Sequence, residues 1–300
     1  MNVTHLLPPL ALALTLSACG GEAASDGADG QDQLVVGDGS STPAHAMYQM
    51  PTPNELFSLV RSMAGEGQKR MMNPATNADR YVSLTKRAAN FGVYSTDLIY
   101  ASYFRLNVEV VRYYLTVKKL GDQLGLTGAF NEHDFVRLEK NLAYGDSLEV
   151  ISNEAYFKAY DRLQQDDMGA TLALVLAGGW VESMHLVIQQ VRGFDPADPL
   201  VQRIAEQKFT LEHLVEMMEP HADDVHVAGL RDELITLRDL YDQLTVEQVA
   251  SPGKVRSGRM VLGQETRVLM TIDQYAAIAA RVEELRESII RPEDQVGLTR

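Results

Sequence analysis

The chain has 300 residues, a formal net charge of −14 at pH 7 and a single cysteine. One cysteine excludes a disulfide framework, so the folded part must be stabilised by packing. The acidic balance and the lack of a basic patch with interleaved aromatic residues argue against nucleic acid as a partner.

The single cysteine ends the sequence Leu16-Ser17-Ala18-Cys19, which follows an apolar stretch at residues 6–16. This stretch is too short to span a bilayer but suits the apolar region of a signal peptide. The pattern resembles the lipobox of bacterial lipoproteins, in which the cysteine is acylated and becomes the mature N-terminus. The segment before it contains His5 but no Lys or Arg, which departs from the usual basic start. The alternative is an ordinary secretory signal with an unrelated cysteine.

The sequence predicts four regions along the chain. Residues 1–18 are a lipoprotein signal peptide, and residues 19–52 are an acidic, flexible tether rich in Gly, Ala, Ser and Asp. Residues 53–291 form a single α-helical domain, and residues 292–300 are a frayed tail. Two acyl chains on the cysteine would anchor the protein stably to a membrane. Gly20 rather than aspartate follows the cysteine. The resemblance to lipoproteins that obey the sorting rule of enteric bacteria then implies the outer membrane of the cell envelope.

After the tether the sequence predicts one helix after another. A capping box at residues 52–55, with Pro53 at the first helical position, opens a helix at residues 53–64. The next helix runs from Asn77 to Phe91 and ends at Gly92, since glycine commonly follows a helix C-terminus. The longest predicted helix covers residues 95–124, where apolar residues recur at three- and four-residue spacing.

Shorter helices are predicted at residues 131–142 and 146–163. A very apolar helix follows at residues 167–191, and a helix that is apolar on all sides belongs in the centre of a bundle. Gly178 and Gly179 lie in its interior, where each glycine costs about 1 kcal/mol relative to alanine. We expect the close approach of a neighbouring helix to offset that cost.

Amphipathic helices are predicted at residues 200–218 and 227–244, and a small β-hairpin or an extended loop at residues 259–270. A capping box from Thr271 to Gln274 begins the last helix. The predicted fold class is therefore all-α, as a multi-helix bundle or a short α-solenoid of about eight to nine helices. The solenoid alternative comes from a similarity between the apolar stretches of the longest and the most apolar helices.

A metal-binding bundle is one chemical hypothesis that the sequence supports. Glu182 and His185 form an E-x-x-H pair, whose spacing places a carboxylate and an imidazole on one helix face as in di-iron bundles. The further candidate ligands lie on other helices and are Glu109, Glu212, His213 and Glu216. The second E-x-x-H of such sites is missing, so we expect no cofactor and keep a divalent metal as the alternative.

Aromatic and polar residues around the start of the longest predicted helix offer a second kind of site, a ligand groove. The candidates are Tyr94, Tyr100, Arg105 and Asn107. Helical positions at these spacings point in several directions, so packing in the core or at its rim is the competing interpretation.

The chain resembles an uncharacterised family of all-helical bacterial lipoproteins at residues 90–100 (Asn-Phe-Gly-Val-Tyr-Ser-Thr-Asp-Leu-Ile-Tyr), at residues 177–182 (Ala-Gly-Gly-Trp-Val-Glu) and in the closing helix. Because that family has no assigned activity, the resemblance implies a helical fold and an envelope location and transfers no catalytic residue. The sequence also lacks serine-hydrolase, zinc-protease and P-loop motifs. It therefore favours a lipid-anchored, non-enzymatic binding or scaffolding module with an envelope protein as its partner.

Overall fold

The computed structural model of the protein describes residue 57 and residues 60–62, 67–126, 132–141, 145–256 and 259–293. Within these ranges the chain is an all-α bundle with one two-stranded antiparallel hairpin, which confirms the predicted fold class. The predicted signal peptide and tether, including Cys19, lie outside the described residues. Most of the predicted helix at residues 53–64 lies outside them as well.

The described helices are α1 (Leu84–Tyr103), α2 (Asn107–Gln123), α3 (Glu132–Lys140), α4 (Gly145–Gln165), α5 (Gly169–Ile188), α6 (Pro199–Met218), α7 (Ala228–Tyr241) and α8 (Ile272–Ile290). The strands are β1 (Thr245–Arg256) and β2 (Arg259–Leu269). Short 3₁₀ turns occur at Lys69–Met71, Ala75–Arg80 and Glu219–His221.

Helix α5 is the central element of the bundle. It packs most extensively against α1 and also contacts α4, α6 and α8. Among the described helices it is the one that is long and apolar enough to cross a membrane, yet 94% of its apolar window is buried by the rest of the protein. This burial confirms the prediction of a central helix.

Glycines allow α1 and α5 to approach each other closely. A Cβ atom added at Gly178 of α5 would clash with the carbonyl oxygen of Ala89 in α1, and one added at Gly92 of α1 would clash with the carbonyl oxygen of Val175. Each helix therefore presents a glycine to the backbone of the other. The close helix approach predicted for the glycine pair of α5 is confirmed.

Helix α1 begins later and extends further than the sequence predicted. The predicted helix over residues 77–91 is wrong, because residues 75–80 form a 3₁₀ turn and the Ser83 side chain caps α1. Gly92, which was expected to end a helix, lies in the interior of α1. Its lack of a side chain serves the contact with α5 rather than a helix terminus.

The longest predicted helix, over residues 95–124, is in fact two helices. The chain turns between α1 and α2, and Arg105 in this turn has a φ of 56°. A positive φ is uncommon for residues other than glycine. The sequence has no glycine or proline at this turn, and the apolar periodicity continues across it. For this reason the periodicity predicted one helix.

The predicted hairpin near residues 259–270 is present, but it is larger than expected. Strand β2 pairs with β1 in an antiparallel register that runs from Thr245↔Leu269 to Arg256↔Arg259. The sequence predicts the whole hairpin within residues 259–270, whereas these residues form its second strand alone. The first strand gives no clear signal, because β1 directly follows a helical pattern and contains few β-branched residues in alternation.

The last helix begins at the predicted capping box, which is confirmed. The Thr271 side chain accepts a hydrogen bond from the Gln274 amide, and the Gln274 side chain accepts one from the Thr271 amide. The predicted frayed tail at residues 292–300 begins with an attached residue, since the Glu293 carboxylate accepts a hydrogen bond from the Ser83 amide at 2.9 Å. The rest of the tail lies outside the described residues.

Two glycine-to-alanine substitutions test the close helix contact. Gly178→Ala should lower the free energy of unfolding by about 2 kcal/mol, because overpacking outweighs the gain in helix propensity. Gly229→Ala in α7 is the matched control, since nothing lies within 4 Å of the added Cβ. It should raise the free energy of unfolding by about 0.5 kcal/mol. Urea denaturation measures both, and a neutral Gly178→Ala would contradict the close approach.

Candidate functional site

An irregular segment before α1, Gln68–Pro74, lies against the interior of the bundle and is called the core segment below. Met72 is 3% exposed and Asn73 is fully buried. Irregular backbone is seldom buried, because its amide and carbonyl groups need hydrogen-bond partners away from water. The surrounding helices therefore have to supply these partners.

Asn73 is the most enclosed residue of the core segment. Its amide donates to the Asp97 carboxylate of α1 at 3.1 Å, and its carbonyl accepts from the Tyr113 hydroxyl of α2 at 2.7 Å. Its side-chain amide donates to the Tyr81 hydroxyl at 3.0 Å and to the Asn90 carbonyl oxygen at 3.2 Å. The backbone amide, the backbone carbonyl and the side-chain amide of Asn73 therefore all form hydrogen bonds with protein groups.

Two of the four predicted groove residues also hold the core segment. The Tyr94 hydroxyl donates to the Pro74 carbonyl at 2.9 Å, and the Tyr100 hydroxyl accepts from the Gln68 amide at 3.0 Å. Both tyrosine side chains are fully buried. Their site is therefore filled by the protein's own backbone.

Arg105 and Asn107, the other two predicted groove residues, lie elsewhere. Arg105 is exposed in the turn between α1 and α2, and Asn107 is exposed at the first position of α2. The structure therefore does not bring the four predicted groove residues into one groove.

The carbonyl of Met71 accepts two hydrogen bonds from basic side chains. Arg286 Nη2 of α8 donates to it at 3.0 Å, and His185 Nε2 of α5 lies 3.1 Å from it. Since the carbonyl oxygen can only accept, His185 Nε2 carries the proton of this hydrogen bond. This carbonyl thus joins the core segment to the two helices α5 and α8.

Glu182 and Arg286 form a bidentate ion pair in the interior. Arg286 Nε and Nη2 donate to the two carboxylate oxygens of Glu182 at 2.7 and 2.9 Å. Glu182 is fully buried and Arg286 is 6% exposed. Burial alone would lower the pKa of Arg286, but the Glu182 carboxylate outweighs this and raises the pKa above its usual value. The guanidinium of Arg286 is therefore charged in the folded protein.

A second buried carboxyl group, that of Asp97, lies beside this ion pair. Burial first, and then the charge of Glu182, raise the pKa of Asp97 well above its usual range. Asp97 Oδ2 accepts from the core segment, whereas Oδ1 is buried with no donor facing it. A proton on Asp97 leaves one negative charge beside the one guanidinium, so that the two balance.

The buried residues Asp97, Glu182, His185 and Arg286 are called the central cluster below. This cluster reaches the surface through His185, which contacts Glu283 of α8. His185 Nδ1 lies 2.6 Å from its carboxylate, and the Gln189 side chain donates to the same oxygen at 2.9 Å. The hydrogen bond from His185 lowers the pKa of Glu283. His185 thus faces one acceptor with each ring nitrogen, and both contacts are hydrogen bonds only when both nitrogens carry a proton.

The structure does not bring the six predicted metal ligands together. Glu182 and His185 share a helix face as expected, but the facing helix α8 pairs Arg286 with Glu182 and Glu283 with His185. Glu109 of α2 forms ion pairs with Lys69 and Arg112 instead. Each of these glutamates is therefore neutralised by a basic residue.

The remaining predicted ligands lie on α6. Glu212 pairs with Lys208 at 2.9 Å, and His213 Nδ1 lies 3.3 Å from the exposed carboxylate of Glu216. In the part of the chain that the structure describes, no group of three or more His, Cys, Asp or Glu residues is placed to hold a metal ion.

A different type of candidate site lies at the surface, in a crevice between α6 and β2. It has a volume of about 220 Å³. Its lining residues are Pro196, Val201, Gln202, Ala205, Arg267, Val268, Leu269 and Met270. Pockets that enclose small-molecule ligands measure about 300–1,000 Å³, so this crevice suits one or two side chains of a partner better.

No protein-family model matches the chain, and no curated protein and no solved structure matches it. The resemblance to all-helical bacterial lipoproteins therefore stays a prediction, and function has to be inferred from the geometry of the chain itself.

The proton on Asp97 gives a test in the pH dependence of stability. Because the pKa of Asp97 is raised in the folded state, its stabilising contribution is present below the unfolded pKa of about 3.9 and is lost as pH rises through the folded value. Asp97→Asn mimics the protonated form at every pH. The free energy of unfolding of the wild type should therefore fall relative to this variant, by at most about 1.4 kcal/mol per pH unit.

Urea denaturation between pH 4 and 8 measures this difference, and Asp161→Asn at an exposed position of α4 is the matched control. A difference that is constant with pH, or that shifts in favour of the wild type as pH rises, would show that Asp97 is ionised in the folded protein.

Proposed function

We propose that this chain is a lipid-anchored module of the bacterial cell envelope, attached through Cys19 to the outer membrane, that binds or scaffolds an envelope protein. The observation that carries this proposal is the use of the buried ionisable residues. Asp97, Glu182, His185 and Arg286 are directed at one another and at the backbone of the core segment.

A catalytic acid, base or nucleophile has to come within hydrogen-bond reach of its substrate. Glu182 and Asp97 are fully buried. The core segment lies against these groups, with the Asn73 amide at Asp97 and the Met71 carbonyl at Arg286. Burial beside Glu182 explains the raised pKa of Asp97, and the hydrogen bonds from Arg286 neutralise Glu182. These groups therefore support a structural role, and a partner would be bound by residues at the surface.

Metal binding, the alternative from the sequence, would disturb the same pair. Glu182 could ligate a cation only by releasing Arg286, which would leave a buried guanidinium without its carboxylate. Breaking a buried ion pair by removing one partner costs about 3–5 kcal/mol. This cost favours the binding or scaffolding role over a metal site at Glu182 and His185.

Anchoring is tested by Cys19→Ser in a Gram-negative host. The wild-type chain should carry acyl chains on its N-terminal cysteine and sediment with the outer membrane, whereas the variant should appear in the soluble periplasmic fraction. Two acyl chains give stable attachment, so the change should be nearly complete. Mass spectrometry of the purified chains and membrane fractionation are the measurements.

The double variant Cys19→Ser, Ser40→Cys is the control, because it restores a thiol outside the lipobox and should remain soluble. A wild-type chain without acyl groups would contradict the anchor. Stoichiometric iron, manganese or zinc in the purified full chain would contradict the binding role and favour the metal alternative.

A further inference from the structure

The two strands of the hairpin differ in how their outer edges are protected. In the described residues the sheet contains β1 and β2 only, so each strand has one edge without a strand partner. Strand β1 contains Pro252, and its register shifts between Ser251 and Lys254. Proline and bulges are the usual means by which an edge strand is kept from pairing further. Strand β2 contains no proline and has the less protected edge.

A hairpin of two strands is marginally stable by itself and gains stability from a third strand or from a helix. Helix α6 supplies such a contact at β2, and Val268 is 5% exposed there. Its cross-strand partner Val246 is 41% exposed. The packing that covers the base of β2 therefore leaves apolar surface open on the same face.

The α6–β2 crevice lies on the β2 side of the hairpin. Its strand side is formed by Arg267–Met270, and its helix side includes the apolar residues Val201 and Ala205. A strand edge without a strand partner allows β-strand addition, in which backbone pairing gives affinity and neighbouring pockets receive alternate side chains.

Arg267 adds a charge to this crevice. It is exposed, and it forms no ion pair within the described residues although Glu247 lies opposite it in the register. In a chain with a net charge of −14, an arginine that forms no ion pair with any described side chain and lies beside an apolar crevice is complementary to a carboxylate of a partner.

We propose that the β2 edge at Thr266–Met270 binds an extended segment of a partner protein as an added strand, with an apolar side chain in the α6–β2 crevice and a carboxylate at Arg267. This inference rests on the proposed binding role and specifies the chemistry of the partner. Consecutive residues point to opposite faces of a strand, so the segment alternates apolar and acidic or polar residues.

Two other occupants fit less well. A second copy of the chain carries the same net charge of −14, and a high net charge opposes self-association. A small-molecule ligand would be poorly enclosed by a crevice of about 220 Å³.

The test uses the purified full chain and a blocked synthetic peptide, acetyl-Glu-Val-Thr-Val-Glu-Val-Thr-Val-amide. Hydrogen–deuterium exchange should show protection of backbone amides in Thr266–Met270 on addition of this peptide, because an added strand forms hydrogen bonds with the outer edge. A peptide with lysine in place of both glutamates should bind about tenfold more weakly.

Arg267→Glu should reverse the preference between the two peptides by about tenfold or more, whereas Lys140→Glu, an equal charge change at an exposed position of α3, should leave it unchanged. Absence of protection, or equal binding of both peptides, would overturn the inference. Protection that grows with protein concentration without peptide would show that a second copy is the occupant. A chain that is acylated at Cys19 but binds no peptide would contradict this inference and leave the anchor intact.

Discussion

A backbone carbonyl buried without a hydrogen-bond partner costs about 1–3 kcal/mol, and the carbonyl of Met71 avoids this cost by accepting from both Arg286 and His185. These two donors belong to helices α8 and α5, which are far apart in the sequence. The arginine can take this position only because Glu182 balances its charge. One carbonyl of an irregular segment thus fixes how α5 and α8 face each other.

The same requirement extends to the carboxylates. Asp97 is needed to accept a hydrogen bond from the Asn73 amide. If Asp97 were ionised, it and Glu182 would place two negative charges beside the single positive charge of Arg286. Retention of a proton by Asp97 resolves the imbalance. The E-x-x-H pair of α5, whose spacing is compatible with metal binding, is therefore better explained as part of a hydrogen-bonded junction between helices and the core segment.

Much of the helical architecture follows from local signals in the sequence. The apolar composition of α5 predicts its central place, and the capping box at Thr271 predicts the start of α8. Gly92 misled the prediction because glycine both ends helices and permits close helix contacts, and only the tertiary structure separates the two uses. The turn at Arg105 has no glycine or proline signal at all.

The central cluster was only half predictable. Glu182 and His185 stand out because charged or polar residues in a highly apolar helix need partners, whereas Arg286 and Glu283 lie in an ordinary amphipathic helix with many charges. Asp97 did offer a signal, since it interrupts the apolar residues of α1. Its pairing with Asn73 depends on a chain reversal that no local pattern specifies.

Native-state hydrogen exchange at the Asn73 amide tests most directly whether the core segment is part of the folded core. If side chains from the surrounding helices hold it as described, this amide should exchange as slowly as the interior amides of α1 and α5, through global unfolding. Exchange at the rate of an exposed loop, while α1 and α5 stay protected, would show that the segment is only loosely attached and would contradict the account.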